Sequence, residues 1–121
     1  MADEVQANAA RYVDVWFDAW AETNPLARKK MLAEVAVPEL RMQDRYSNLE
    51  GMEDVLAQIA ASHRFMPGIR LTRTGDIRHC QGMVLADWTM AGLDGKERGR
   101  GTNVFVFGPS GRIEWVTGFW G

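Results

Sequence analysis

The apolar residues of this chain change their spacing once along its length. Over residues 3–23, Val5, Ala9, Tyr12, Val13, Trp16, Phe17 and Trp20 recur at intervals of three and four, the stripe of a long amphipathic helix. From about residue 69 onward the apolar residues alternate instead, in short runs bounded by glycine, proline and aspartate. Helix first and strand afterwards predicts an α+β fold. The turns agree, because Asp94-Gly95 and Gly108-Pro-Ser-Gly111 are hairpin chemistry. Strands over residues 83–91, 101–107 and 113–119 should therefore form an antiparallel meander. Another strand, over residues 69–74 and running on toward His79, should precede them.

Between these halves the punctuation is local. Asn24 suits a helix N-cap and Pro25 a first helical turn, giving a second helix through Leu26, Met31, Leu32 and Val35 that Pro38 should end. Ser47-Asn-Leu-Glu50 has capping-box spacing, and Met52, Val55, Leu56, Ile59 and His63 make a third stripe before Pro67-Gly68. The stretch from Leu40 alternates like a strand, with Leu40, Met42 and Tyr46 on one face and Arg41, Gln43, Arg45 and Ser47 on the other. Asp44 falls on the apolar face. A carboxylate there costs several kcal/mol unless it is paired, hydrogen-bonded or protonated, so its presence needs a reason. No repeat or linker divides the chain, so residues 1–121 are expected to be one domain. A bent sheet of four to six strands with helices on its concave side would make a cone, its mouth closed by the first helix.

Composition excludes several functions. With 14 Lys and Arg against 16 Asp and Glu, the net charge is −2, so no basic field exists to hold nucleic acid. No apolar run is long enough to cross a membrane, and the N-terminus lacks the pattern of a secretory leader, so a cytoplasmic protein is expected. Two histidines and one cysteine, Cys80, without ligand spacing argue against a metal site, and no cofactor motif stands out: Gly99-Arg-Gly101 lacks the following helix of a phosphate loop. Five tryptophans in 121 residues are many. Within a cone, Trp16, Trp20, Met66, Trp88, Phe105 and Trp120 are expected to line one apolar cavity for a small, flat hydrophobic molecule. Apolar residues on both sides of the strand from Met83 to Met90 predict a homodimer through the outer sheet face.

The order helix, helix, strand, helix, meander resembles the nuclear transport factor 2-like superfamily, particularly its SnoaL-like and ketosteroid-isomerase-like branches. The pieces that carry the resemblance are Ala10-Arg-Tyr-Val13, Met42-Gln-Asp-Arg45 followed by Gly51, and the ending Gly108-Pro-Ser-Gly-Arg-Ile-Glu-Trp-Val-Thr-Gly-Phe119. The resemblance implies a cystatin-like α+β roll and, residue by residue, an acid/base site in an isomerase or polyketide-cyclase type of enzyme. Asp44 is similar to the isomerase general base. Tyr12 is similar to the oxyanion-hole tyrosine, and Asn103 stands where the isomerases carry a protonated aspartic acid. Two other branches also resemble parts of the chain. Tyr46-Ser-Asn48 is similar to the water-holding pair of limonene epoxide hydrolase, although Leu85-Ala-Asp87 lacks that site's arginine. Ser62-His-Arg-Phe65 is similar to a histidine-bearing stretch of scytalone dehydratase, which adds His63 to the ligand-binding candidates, with His79 a loose second match.

Structural readings stand beside these. Asp44 could cap the next helix or pair with Arg41, Arg45 or Arg64. Tyr12 and the aromatics could be plain core, and His63 could sit at its helix C-terminus because the macrodipole favours a cation there. A non-catalytic binding or dimerisation module is the alternative that these readings leave open.

Overall fold

A computed structural model describes the backbone of residues 2–121 and the side chains of residues 8–121; Val5 of the predicted stripe lies outside the described side chains. Helix α1 (Ala2–Ala21) buries Ala9, Val13, Trp16 and Phe17, as the spacing requires. Asn24 then caps α2 (Pro25–Val35): its Oδ1 accepts the Ala27 N–H at 3.0 Å, and Pro25 sits where a missing N–H leaves no bond unmade. The inward face of α2 differs from the predicted one. Leu26 is 78% exposed, whereas Arg28 is only 5% exposed, its Nε and Nη2 donating to the Glu22 carbonyl at 3.1 and 2.7 Å. That carbonyl lies just past the end of α1, where helical donors run out, and the guanidinium supplies them.

Strand β1 (Ala36–Gln43) begins directly after α2, so Pro38 lies inside a strand instead of ending a helix. Its pairing with β7 (Ile113–Trp120) is parallel and regular from Arg41 to Gln43, but irregular between Ala36 and Arg41. Proline lacks the N–H that a regular ladder needs there. At Gln43 the chain turns back into β2 (Asn48–Glu50), antiparallel to β1, with the backbones of Asp44 and Ser47 bonded at 2.9 and 3.4 Å. The predicted capping box at Ser47–Glu50 therefore does not form. Helix α3 (Met52–Phe65) instead follows Gly51, whose φ of +89° suits glycine, and Asp54 reaches back to accept the Glu50 N–H at 3.3 Å.

Strands β3 (Arg70–Arg73) and β4 (Arg78–Cys80) both pair with β5 (Met83–Ala91), as one edge interrupted in the middle. With β6 (Glu97–Phe107), the described residues complete a seven-stranded mixed sheet of order β2-β1-β7-β6-β5-β3, β4 lying beside β5. The pair β1–β7 is parallel; the other described pairs are antiparallel. The architecture is the α+β cone that the change of period predicts, but with seven strands instead of four to six, because the chain turns back at Asp44–Ser47 to add β2 and the edge beside β5 is split into β3 and β4. Asp14 on α1 takes Arg73 on β3 through two bonds of 2.8 and 3.0 Å, pinning the helix across the sheet edge. The same pairing raises the Arg73 guanidinium further above its ordinary value.

The inner face of the sheet carries Leu40, Val84, Ala86, Phe105 and Val116, all buried. Three of its positions, Gly99, Gly101 and Gly118, carry no side chain. A Cβ at Gly101 would overlap the Phe119 carbonyl oxygen of the neighbouring strand β7 and come within 2.6 Å of Trp88 Cζ2, and one at Gly99 would come within 3.1 Å of Trp120 Cζ3. Positions two apart on a strand share a face, so Gly99 and Gly101 together seat two indoles, which meet edge to face at 5.1 Å. Gly101→Ala should therefore lower stability by about 1–3 kcal/mol through overpacking. Chemical denaturation with tryptophan emission reads this directly, and an unchanged midpoint would show that neither the β7 backbone nor Trp88 depends on the missing side chain.

Candidate functional site

A cavity of roughly 520 Å³ opens between the helices and the sheet. Trp16, Phe17 and Trp20 of α1 form one wall, and Met42, Trp88, Met90 and Trp120 of the sheet form another, with Phe65 and Met66 at the end of α3. Few polar side chains interrupt them: Asp44, Tyr46 and Ser47 from the β1–β2 turn, Gln58 and Ser62 from α3, and Asn103 from β6. An apolar enclosure of this size with a few convergent polar groups is the usual form of a small-molecule site. Trp20 Nε1, also in this wall, is buried and has no hydrogen-bond partner among the described residues.

Asp44 sits in the turn just beyond β1, half-buried. One carboxylate oxygen, Oδ1, accepts the Tyr46 N–H at 2.8 Å, an Asx turn that fixes the hairpin. Among the described residues no cation pairs with it. Arg41 bonds Glu50 at 3.1 Å and lies 4.7 Å above the Trp115 ring, while Arg45 lies 5.7 Å from the Tyr46 ring. Nor does Asp44 cap α3, since Gly51 holds that place. Its charge is thus balanced by no ion pair, and Oδ2 has no bond within the described residues.

Asn103 is 6% exposed, and its Oδ1 accepts the Trp88 indole N–H at 2.9 Å. That bond orients the amide and leaves Nδ2 as the group with donors to give. Gly118 lies between the two polar side chains. A Cβ there would stand 3.0 Å from Asn103 Oδ1 and 3.5 Å from Asp44 Cβ, so the glycine keeps the gap between carboxylate and amide open. A carboxylate and an amide line one apolar space.

The other predicted site residues divide. Trp16, Trp20, Met66, Trp88 and Trp120 line the cavity. Phe105 does not: it is wholly buried behind the wall, edge-on to Trp16 and Phe17 at 6.0 and 6.1 Å. His63 is also outside the lining, its Nε2 2.7 Å from the Trp20 carbonyl oxygen, where it ties α3 to the end of α1. Tyr12 stacks on Phe107 at 6.3 Å beneath the Arg11 guanidinium and lines a separate depression with His79 and Gly82. One helical turn, about 5.4 Å, separates it from Trp16, enough to carry the phenol toward the other end of the sheet. The hydrolase-like and dehydratase-like sets are likewise not assembled. Asp87 lies on the exposed face, accepting from Thr102 Oγ1 at 2.6 Å, and His63 and His79 share no cavity. Among the described residues no three His, Cys, Asp or Glu side chains converge. Gln58 and Ser62 escaped sequence reasoning because they stand four apart beside the apolar stripe of α3, where polar residues read as solvent-facing.

No family model and no curated protein matches the chain. Solved structures do. A candidate isomerase of the SnoaL-like family from Agrobacterium tumefaciens superposes with a TM-score of 0.89 at 23% identity, covering 95% of this chain and 98% of the other. A candidate SnoaL-like polyketide cyclase from Jannaschia gives 0.77 at 15% identity, covering 96% and 87%. A hypothetical protein of ketosteroid isomerase-like fold from Catenulispora acidiphila, in complex with trimethylamine, gives 0.72 at 16% identity, covering 88% and 82%. The chain therefore has the nuclear transport factor 2-like fold, in the form shared by SnoaL-like and ketosteroid-isomerase-like proteins.

Proposed function

We propose that the protein is a cofactor-independent acid/base enzyme, of isomerase or polyketide-cyclase type, acting on a small hydrophobic carbonyl compound. The observation that carries this reading is the pairing, across Gly118, of an Asp44 carboxylate that has no cation partner among the described residues with the Asn103 amide, both lining one apolar cavity. Removing a proton beside a carbonyl moves negative charge onto the carbonyl oxygen. Asp44 Oδ2 is the group available to take the proton, and Asn103 Nδ2 the group available to donate to that oxygen as its charge grows. Because Trp88 already holds the amide in place, little reorganisation is needed when the charge develops. Tyr12, in another depression, has no part in this scheme. Structures named as a candidate isomerase and a candidate polyketide cyclase support the reaction class.

One observation favours a non-catalytic ligand-binding module instead: the Asx turn gives Asp44 a purely structural task. Asp44→Asn separates the two, because asparagine keeps an oxygen for the Tyr46 N–H and loses only the charge. With 2-tetralone, a flat ketone with acidic C–H bonds, wild type should exchange the C1 protons for deuterium in NMR. Asp44→Asn should melt within about 0.5 kcal/mol of wild type, bind the ketone, and slow exchange by roughly a hundredfold or more. Exchange at the wild-type rate would remove Asp44 as the base.

The outer sheet face supports a homodimer. Met83 and Phe119 are 47% and 57% exposed, and cross-strand pairing puts Leu85, Val104, Val106 and Trp115 on the same face. Light scattering at micromolar concentration should give twice the 13.6 kDa chain mass. A monomer there would contradict the dimer.

A further inference from the structure

We infer that Gln58 selects the ligand, by taking a second oxygen function of a molecule whose carbonyl is held at Asp44 and Asn103. The inference rests on the acid/base reading for the first contact and adds the second. Gln58 projects from α3 onto the cavity, one turn before Ser62 on the same helical face. The Ser62 hydroxyl donates to the Ile59 carbonyl at 2.7 Å and so satisfies itself within the helix. The Gln58 amide has no hydrogen bond within the described residues, although it is half-buried in a largely apolar wall. In the open cavity water can serve it. A ligand that fills the cavity displaces that water, and an end made only of carbon leaves a buried amide unpaired.

A hydroxyl or carbonyl on the ligand removes this penalty, since a primary amide both donates and accepts. Asp44 and Asn103 belong to the β1–β2 turn and the sheet, and Gln58 to the helical wall. The ligand class that satisfies both walls is a flat, mostly carbon ring system with oxygen at two separate positions, one of them a carbonyl. A site built around such a hydrogen bond rejects the analogue that lacks it far better than an apolar pocket rejects an extra group.

Matched ketones at two lengths test this: 2-tetralone against 6-hydroxy-2-tetralone, and 3-deoxyestrone against estrone, each titrated by tryptophan emission. Wild type should bind the hydroxylated member of at least one pair roughly five- to tenfold more tightly. Gln58→Leu should erase that preference while binding the unhydroxylated ketone at least as tightly as wild type, which also shows that the variant is folded. No preference in either pair, or a preference that survives Gln58→Leu, overturns the assignment of Gln58. Failure of all four ketones to bind overturns this inference and the acid/base reading together. A Gln58-dependent preference without proton exchange at 2-tetralone overturns the acid/base reading alone.

Discussion

Where Trp88 lies across Gly101 and Trp120 across Gly99, the sheet gives up two of its own side chains to seat two larger ones. The exchange decides the shape of the interior. An ordinary residue at position 99 would crowd Trp120, and one at 101 would meet both the Trp88 ring and the Phe119 carbonyl oxygen of β7, and protein interiors seldom tolerate such overlap without moving backbone. Gly118 extends the same device one strand further, since a side chain there would stand between Asp44 and Asn103. The hollow is thus written into the sheet by omission, and four tryptophans and Met90, facing it from α1, β5 and β7, give it an apolar lining.

The polar chemistry depends on the same packing. Trp88 can give its indole N–H to Asn103 Oδ1 because Gly101 lets its ring lie close to β6. The bond meets the need of a buried N–H and a buried amide oxygen at once, and turns the amide into a donor of fixed orientation. Asp44 is positioned differently, by a turn instead of a strand. Its Asx bond to the Tyr46 N–H holds one oxygen, and the arginines near it in sequence are engaged with Glu50 and with aromatic rings. The result is a carboxylate without a counter-ion beside an oriented neutral donor, which is a workable arrangement for moving a proton next to a carbonyl.

The fold was legible because its signals are periodic and local. The stripe Val13, Trp16, Phe17 declares α1, Asn24-Pro25 declares the start of α2, and glycine-bearing turns declare the meander. What failed locally failed where tertiary contacts decide. Leu26 lost its inward place to Arg28 because an orphaned carbonyl at the helix corner needed donors, and Ser47–Glu50 became turn and strand because β1 supplied a partner. The site was half legible. Asp44, Asn103 and most of the tryptophans share a cavity, but Tyr12, His63 and Phe105 do not, since periodicity assigns a face without assigning a position along it. Gly99-Arg-Gly101 and Gly118 gave no sign of their role, because a missing side chain acquires meaning only once its neighbours are known.

The most direct test of the account is the indole N–H spectrum of the protein during titration with 2-tetralone, compared between wild type and Gly118→Ala. A methyl at position 118 would stand against Asn103 Oδ1 and Asp44 Cβ while leaving both indoles in place. The account predicts that the ketone shifts the Trp88 resonance in wild type, and that Gly118→Ala weakens binding about tenfold or more without lowering the melting temperature appreciably. Equal binding by Gly118→Ala, or shifts confined to residues around Tyr12 with Trp88 unmoved, would contradict it.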